Sequence, residues 1–302
     1  MLFGYNQSNI SYLGFPKKVI SLDNKVSSFE DILDILISLS KINLSINSKI
    51  TCLDINEILF SKDFIESPNY IDEEEGRISQ MINELNSIII KNDIRIVFYF
   101  GKNYFLGSQI ESVKKETISI IEIVSSVMNT IGINYPSIFI RIGSAYGNSK
   151  KTMADFCNSL SLLRPETVKL LSVMNDDKPS LFSVTDLLGG VYYNTGIPIC
   201  FRTLAHQFND GSLSLREAMF LSASTWKQEN KPFIIHSESS DLDINGISLS
   251  PIPSNKITRR IPTFGLNCDI IIDSPEKEIC YQNYIVSQRG LPPTVINKIS
   301  KK

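Results

Sequence analysis

The sequence predicts a single (β/α)8 barrel that spans residues 1–302. Three apolar runs, 137–147, 171–177 and 196–206, each end in a short polar cluster, and segments of helix length separate them. This order is typical of parallel β/α proteins. Eight strand candidates alternate with seven intervening segments, and a barrel of this kind needs about 250 residues. One domain therefore accounts for the chain, and the carboxyl ends of its strands are where functional residues are expected.

The eight strand candidates are short apolar runs. They lie at 2–5, 49–54, 95–100, 137–141, 167–174, 197–201, 233–236 and 268–273. The first four-strand half holds three helix candidates. Ser28 is a cap for a helix over 29–41, acidic residues at 72–75 favour a helix that runs to 91, and Gly132 stops a helix over 111–131.

The second half of the chain also alternates strand and helix candidates, but it contains a long loop and ends in a basic tail. Helices are predicted over 150–163, from Ser183 to Gly196, over 214–226 and after the last strand. Residues 237–264 are polar and contain three prolines, which predicts a long loop. The chain then ends in a basic tail at Lys301 and Lys302.

Composition limits the classes of function. The net charge of −2 gives no global basic field, so charge alone does not imply tight nonspecific binding to nucleic acid. The five cysteines form no CxxC pair, which is typical of reduced thiols in a reducing compartment. No apolar run is long enough to cross a membrane, so we expect an intracellular protein of the cytoplasm, the nucleoid or a virion. Abundant Ile, Asn, Lys and Ser indicate an AT-rich genome, which some large DNA viruses have.

Short motifs in a fixed order resemble the UV-damage endonucleases, called UVDE. These are TIM-barrel DNA-repair nucleases related in fold to endonuclease IV and to xylose isomerase. The resemblance covers nearly the whole chain. It rests on Gly4-Tyr5, 95–101, Gly143-Ser-Ala-Tyr-Gly147, Asn175-Asp-Asp177, Ile197-Pro198, Thr225-Trp226, His236, 268–273 and Lys277-Glu278.

The resemblance implies a metal-dependent enzyme that cuts the strand on the 5′ side of a lesion. Family members hold a cluster of divalent metals, such as manganese, with His, Glu and Asp. Carboxylates offset the charge of clustered cations, and imidazoles orient them. At the positions that the resemblance assigns to this metal site, the chain has Tyr99, Arg141, Met174, Arg202, Ala205, Ile234, His236 and Asp273.

Most of these residues cannot ligate a metal. An arginine stays protonated near neutral pH, so Arg141 and Arg202 would repel a metal cluster. Only His236 and Asp273 retain ligand atoms of the family type, and the whole chain has two histidines. We therefore expect no metal site, no catalytic residue and no cofactor. Instead, we expect both arginines to face the mouth of the barrel and to pair with Asp54, Asp176 or Asp273; the alternative is that one arginine is free to hold a phosphate.

Residues that could still contact DNA form a second set. The resemblance places Lys102 and Asn103 where family members probe damaged DNA, with Tyr104 adjacent, and Arg259 and Arg260 form a small basic cluster. The candidate DNA-binding residues are Tyr5, Lys102, Asn103, Tyr104, Arg259 and Arg260. The leading interpretation is an inactive UVDE-like protein that binds double-stranded DNA weakly or binds a protein partner. The alternatives are an active UV-damage endonuclease with rearranged ligands and a structural component of a larger assembly.

Overall fold

A computed structural model describes residues 1–7, 25–67, 76–145 and 147–288. Eight parallel strands close into a barrel in the order β1 to β8, which confirms the predicted TIM-barrel fold. The strands are β1 (Phe3–Gln7), β2 (Ile50–Asp54), β3 (Arg95–Tyr99), β4 (Ile138–Ile140), β5 (Leu171–Met174), β6 (Ile199–Arg202), β7 (Phe233–His236) and β8 (Asp269–Ile272). The basic tail at Lys301 and Lys302 and the acidic run at 72–75 lie outside the described residues.

The helices cover the outside of the barrel. They are α1 (Phe29–Ser45), α2 (Lys62–Glu66), α3 (Gly76–Asn92), α4 (Glu111–Thr130), α5 (Ser149–Ser159), α6 (Pro165–Lys169), α7 (Val184–Leu187), α8 (Tyr193–Thr195), α9 (Thr203–Phe208), α10 (Leu215–Ser224) and α11 (Lys277–Gln288). The predicted cap at Ser28 is confirmed, because its hydroxyl accepts the amide of Asp31 while the Asp31 carboxylate accepts the amide of Ser28. Ser183 begins α7 with the same reciprocal arrangement.

Two predicted elements were wrong in detail. The fifth strand is shorter than the expected 167–174, because Pro165 begins helix α6 and only Leu171–Met174 pair with neighbouring strands. The helix predicted from Ser183 to Gly196 is interrupted by a π-helical turn at Leu188–Tyr192. It ends at Gly196, as predicted, where a left-handed backbone with φ of 72° suits a residue without a side chain.

Alternation along the strands divides the apolar residues into two layers. Eleven buried residues form the cluster inside the barrel. They are Ile50, Cys52, Val97, Tyr99, Phe139, Met174, Cys200, Trp226, Phe233, Ile235 and Ile271. A larger cluster fills the space between strands and helices. Because successive side chains of a strand face opposite sides, these clusters fix which residues at the strand ends point into the mouth.

An arginine closes the amino end of the barrel. The Arg95 guanidinium lies 3.7 Å from the ring centre of Phe233 and 4.4 Å from that of Tyr135. It also donates to the carboxylate of Asp269 at 2.7 Å, and that carboxylate is fully buried. Packed side chains therefore fill the interior of the barrel at its amino end.

Residues 237–264 contain no strand or helix of the barrel, as predicted for a loop. Part of the loop folds back as a hairpin, with antiparallel bridges between Ser239 and Pro253 and between Leu242 and Ser248. We call residues 239–253 the β7–β8 hairpin. Among the described residues no helix is long and apolar enough to cross a membrane.

Candidate functional site at the carboxyl mouth of the barrel

Two arginines stand on the floor of the mouth, as the sequence predicted. Phe139 and Cys200 belong to the cluster inside the barrel, so Arg141 and Arg202, two residues further on, face the same way. Tyr99 and Met174 end their strands on the same side. Burial raises the pKa of the Tyr99 hydroxyl to about 12, so it is a neutral hydrogen-bonding group near neutral pH.

Arg141 forms the predicted ion pair. Its Nη2 contacts Oδ1 of Asp176 and lies 3.6 Å from Oδ1 of Asp177. The pair is largely removed from water, since the two paired side chains are 16% and 1% exposed. Burial lowers the pKa of Arg141, and the positive charge of Arg202 lowers it further. Nε of Arg141 and Oδ2 of Asp176 are buried and have no hydrogen-bond partner. The contact between the two side chains therefore offsets only part of the free-energy cost of burying their charges.

Arg202 does not form the expected ion pair. Within the described part of the chain no carboxylate oxygen lies within 4.0 Å of its guanidinium, which donates to the backbone carbonyl of Asn175 at 3.3 Å. The Asn175 side chain accepts the amide of Arg202 at 2.7 Å and donates to its carbonyl at 3.1 Å. Burial lowers the pKa of Arg202, but Tyr99, Asp273 and Asp177 raise it more, and the net pKa is raised. Arg202 is therefore a fixed positive charge held in place by an amide.

Carboxylates on the other side of the mouth have other partners. The Asp54 carboxylate accepts the backbone amide of Asn56 at 2.9 Å and its side-chain amide at 2.7 Å. Burial lowers the pKa of the half-buried Lys277, although the nearby charges of Glu57, Asp54 and Asp273 oppose this shift. The floor thus places the basic side chains of Arg141, Arg202 and Lys277 among several carboxylates. The negative charges of these carboxylates are the main compensation for the three positive charges.

The two remaining candidate ligands do not converge. Ile235 faces the inside of the barrel, so Ile234 and His236 face outwards, and Nδ1 of His236 lies 2.9 Å from the hydroxyl of Thr203. Asp273 directly follows β8, two residues after the inward-facing Ile271, and therefore lies on the inward side. Ala205 lies on helix α9 and offers no ligand atom.

This donor set does not fit a cluster of divalent cations. Among residues 1–7, 25–67, 76–145 and 147–288, no three His, Cys, Asp or Glu side chains lie together so that they could hold a metal ion. The two guanidiniums on the floor would repel such a cluster, and the outward direction of His236 removes the imidazole that the sequence offered.

The candidate DNA-binding residues differ in their exposure. Tyr5 was expected to contact DNA, and this expectation was wrong. The side chain is fully buried and packs on the ring of Tyr281 with centroids 5.4 Å apart. Lys102 and Asn103 are exposed beyond β3, and their backbone amides donate to Oδ1 of Asn56 at 3.1 and 3.2 Å. Tyr104 is half-buried with its edge against Phe100, and Tyr146 lies outside the described residues. We call residues 100–110, between β3 and α4, the β3 loop; it presents Lys102 and Asn103 to an approaching ligand.

Sequence reasoning missed the residues that organise these loops. Asn56 fixes the β3 loop, and Glu238 accepts the backbone amides of Thr258 and Arg259 at 3.0 and 2.7 Å. Exposed Arg259 and Arg260 line a cavity that also contains His236. The only local signal was the position of Asn56 and Glu238 two residues beyond a strand end, which is too common to single out a residue.

Comparison with known proteins agrees with this architecture. The family model described as UV-endonuclease UvdE matches residues 31–283. The UV DNA damage endonuclease of Bacillus thuringiensis subsp. konkukian (strain 97-27) is 24% identical over 224 residues, which are 70% of this chain and 67% of that protein. That of Bacillus cereus (strain 03BB102) is 23% identical, with the same coverage of both chains.

Solved structures share the fold. SacUVDE superposes with a TM-score of 0.74 at 24% identity and covers 97% of this chain and 100% of its own. Endonuclease IV from Thermus thermophilus superposes with a TM-score of 0.59 at 11% identity, over 95% and 98% of the two chains. Because the family model matches most of its length, the chain belongs to the UvdE family of UV endonucleases.

Proposed function

We propose that this chain is a UvdE-family protein that binds double-stranded DNA and does not carry out metal-dependent cleavage. The relatives are UV DNA damage endonucleases by name, which supports DNA as the ligand. The main support for the proposed loss of cleavage is the pair of charged arginines on the barrel floor. A guanidinium has no lone pair to give a metal and stays charged, so two of them oppose the binding of a cationic cluster.

Exposed cations around the mouth support binding to a phosphate backbone. Lys102 follows β3, and Arg259 and Arg260 follow the β7–β8 hairpin. None of the three forms an ion pair with a described carboxylate, so their charges are available to a ligand. Contacts from such side chains to phosphates are independent of base sequence, so the expected binding is weak and electrostatic.

Strand cleavage is the direct test of this proposal. We expect no lesion-dependent nicks in a UV-irradiated supercoiled plasmid with added Mn²⁺, Mg²⁺, Co²⁺ or Zn²⁺, because the mouth cannot assemble the metal cluster. We also expect a melting temperature that is unchanged by EDTA or by these ions, since a bound ion would stabilise the folded chain. The double variant Arg141→His and Arg202→Asp should not gain activity, because Met174 and Ala205 still offer no oxygen or nitrogen ligand for these metals.

The same assay separates the alternatives. A cut on the 5′ side of a photoproduct, abolished by His236→Ala, would overturn the proposal in favour of an active endonuclease with rearranged ligands. The unirradiated plasmid is the control for contaminating nucleases. Absence of any binding to duplex DNA at low salt would favour a protein partner or a structural role in an assembly.

A further inference from the structure

The cavity that Arg259 and Arg260 line lies outside the barrel, beneath the β7–β8 hairpin. It has a volume of about 210 Å³ and is bounded by helix α9, the start of α10, the end of β7 and the hairpin. The hairpin is tied down over it, because Oγ of Ser248 donates to Oε1 of Gln207 on α9. Both residues line the cavity together with His236, Arg259 and Arg260.

His236 lines the cavity, and only one of its ring nitrogens, Nδ1, has a hydrogen-bond partner among the described residues. The side chain is buried. The Thr203 oxygen accepts the amide of Ser237 at 3.4 Å and lies 2.9 Å from Nδ1. The hydroxyl hydrogen of Thr203 has no other acceptor among the described residues, so we assign it to Nδ1. The ring proton is then on Nε2, which has no partner in the described chain.

The two arginines make the cavity cationic. Nη2 of Arg259 donates to the carbonyl of Gly246 at 3.3 Å, which holds the guanidinium at the rim. Gly246 has a φ of 77°, a backbone conformation that favours glycine, and the Arg259 guanidinium lies where a Cβ atom would stand. The carboxylate of Glu238 is already engaged by Thr258 and the amide of Arg259. Two positive charges against one negative charge leave a net charge of +1 in the lining.

We propose that this cavity binds a phosphoryl oxyanion through Nε2 of His236 and the guanidiniums of Arg259 and Arg260. Arginine offers several N–H donors in one plane, which matches the oxygens of a phosphate, and an imidazole N–H adds a directed donor. Pockets for drug-sized ligands measure about 300–1,000 Å³, so this smaller cavity suits one phosphoryl group and the atoms attached to it. A DNA backbone phosphate is the source that we favour, and that part of the inference rests on the proposed function.

The two histidines allow a direct test in the intact protein. In an imidazole nitrogen spectrum His236 and His206 give two signal sets, assigned with His206→Gln, and inorganic phosphate is added at constant ionic strength with chloride as the balancing ion. We expect a saturable shift of Nε2 of His236 and no shift of His206. Without a His236 shift at about 50 mM phosphate, even millimolar affinity would be excluded and the site would be overturned.

Variants test the arginines in the same experiment. We expect Arg260→Met to weaken phosphate binding at least about tenfold, because the charged hydrogen bonds between its guanidinium and the phosphate are lost. The matched control Arg77→Met removes an exposed arginine on α3 and should leave the affinity unchanged. Equal affinities for Arg260→Met and the unaltered chain would contradict the assignment. Because Arg260 is exposed, its replacement should leave the packing of the core and the fold unchanged.

A short duplex distinguishes the source of the phosphate. If the duplex is retarded in a gel and also shifts His236, the DNA backbone is the ligand of the cavity. If it is retarded without shifting His236, the DNA source is wrong while the proposed function stands. If inorganic phosphate shifts His236 and no duplex is retarded, the oxyanion site stands and the proposed function fails.

Discussion

Replacing Arg141 by methionine is expected to lower the free energy of unfolding by about 3–5 kcal/mol, because removal of one partner leaves a buried charge uncompensated. The charge left behind is the carboxylate of Asp176, whose side chain is 1% exposed. Its Oδ2 already lacks a partner, so no other described side chain is placed to replace the guanidinium. Urea unfolding followed by circular dichroism measures the change.

Two controls separate this effect from a general loss of packing. The double variant Arg141→Met and Asp176→Asn removes both charges and should recover part of the lost stability. Lys151→Met removes an exposed ion pair with Asp155 on α5, and a loss below about 1 kcal/mol is expected there. If Arg141→Met costs no more than Lys151→Met, the ion pair does not hold the barrel floor together.

The fold could be predicted because the barrel pattern depends on the order of strand and helix segments along the chain and not on the exact bounds of each segment. Apolar runs, cap residues such as Ser28 and the closing Gly196 all lie where the structure uses them. The fifth strand was overextended because β-branched Thr167 and Val168 favour a strand, whereas Pro165 begins a short helix that overrides this preference.

The direction of side chains at the strand ends was harder to predict. Strands of a barrel that is covered by helices are apolar on both faces, so hydrophobicity does not mark which residues face the interior. His236 and Tyr5 were therefore expected near the mouth, and both face the outer layer. An ion pair was predicted for both arginines with Asp54, Asp176 or Asp273 as the candidates, and the structure shows one such pair, between Arg141 and Asp176.

The affinity for duplex DNA is expected to fall about 40-fold between 50 and 200 mM salt, since each neutralised phosphate contributes about −0.9 to the slope of log K against log salt. The three exposed cations Lys102, Arg259 and Arg260 give an expected slope of about −2.7, and a fourfold rise in salt to that power gives about 40. Lys102→Ala should weaken binding and make the slope less steep by about 0.9. Lys62→Ala removes a charge already paired with Glu66 on α2 and should leave the slope unchanged. If Lys102→Ala changes neither affinity nor slope, the β3 loop does not contact DNA, and binding then depends on the cavity beneath the hairpin or on a surface elsewhere.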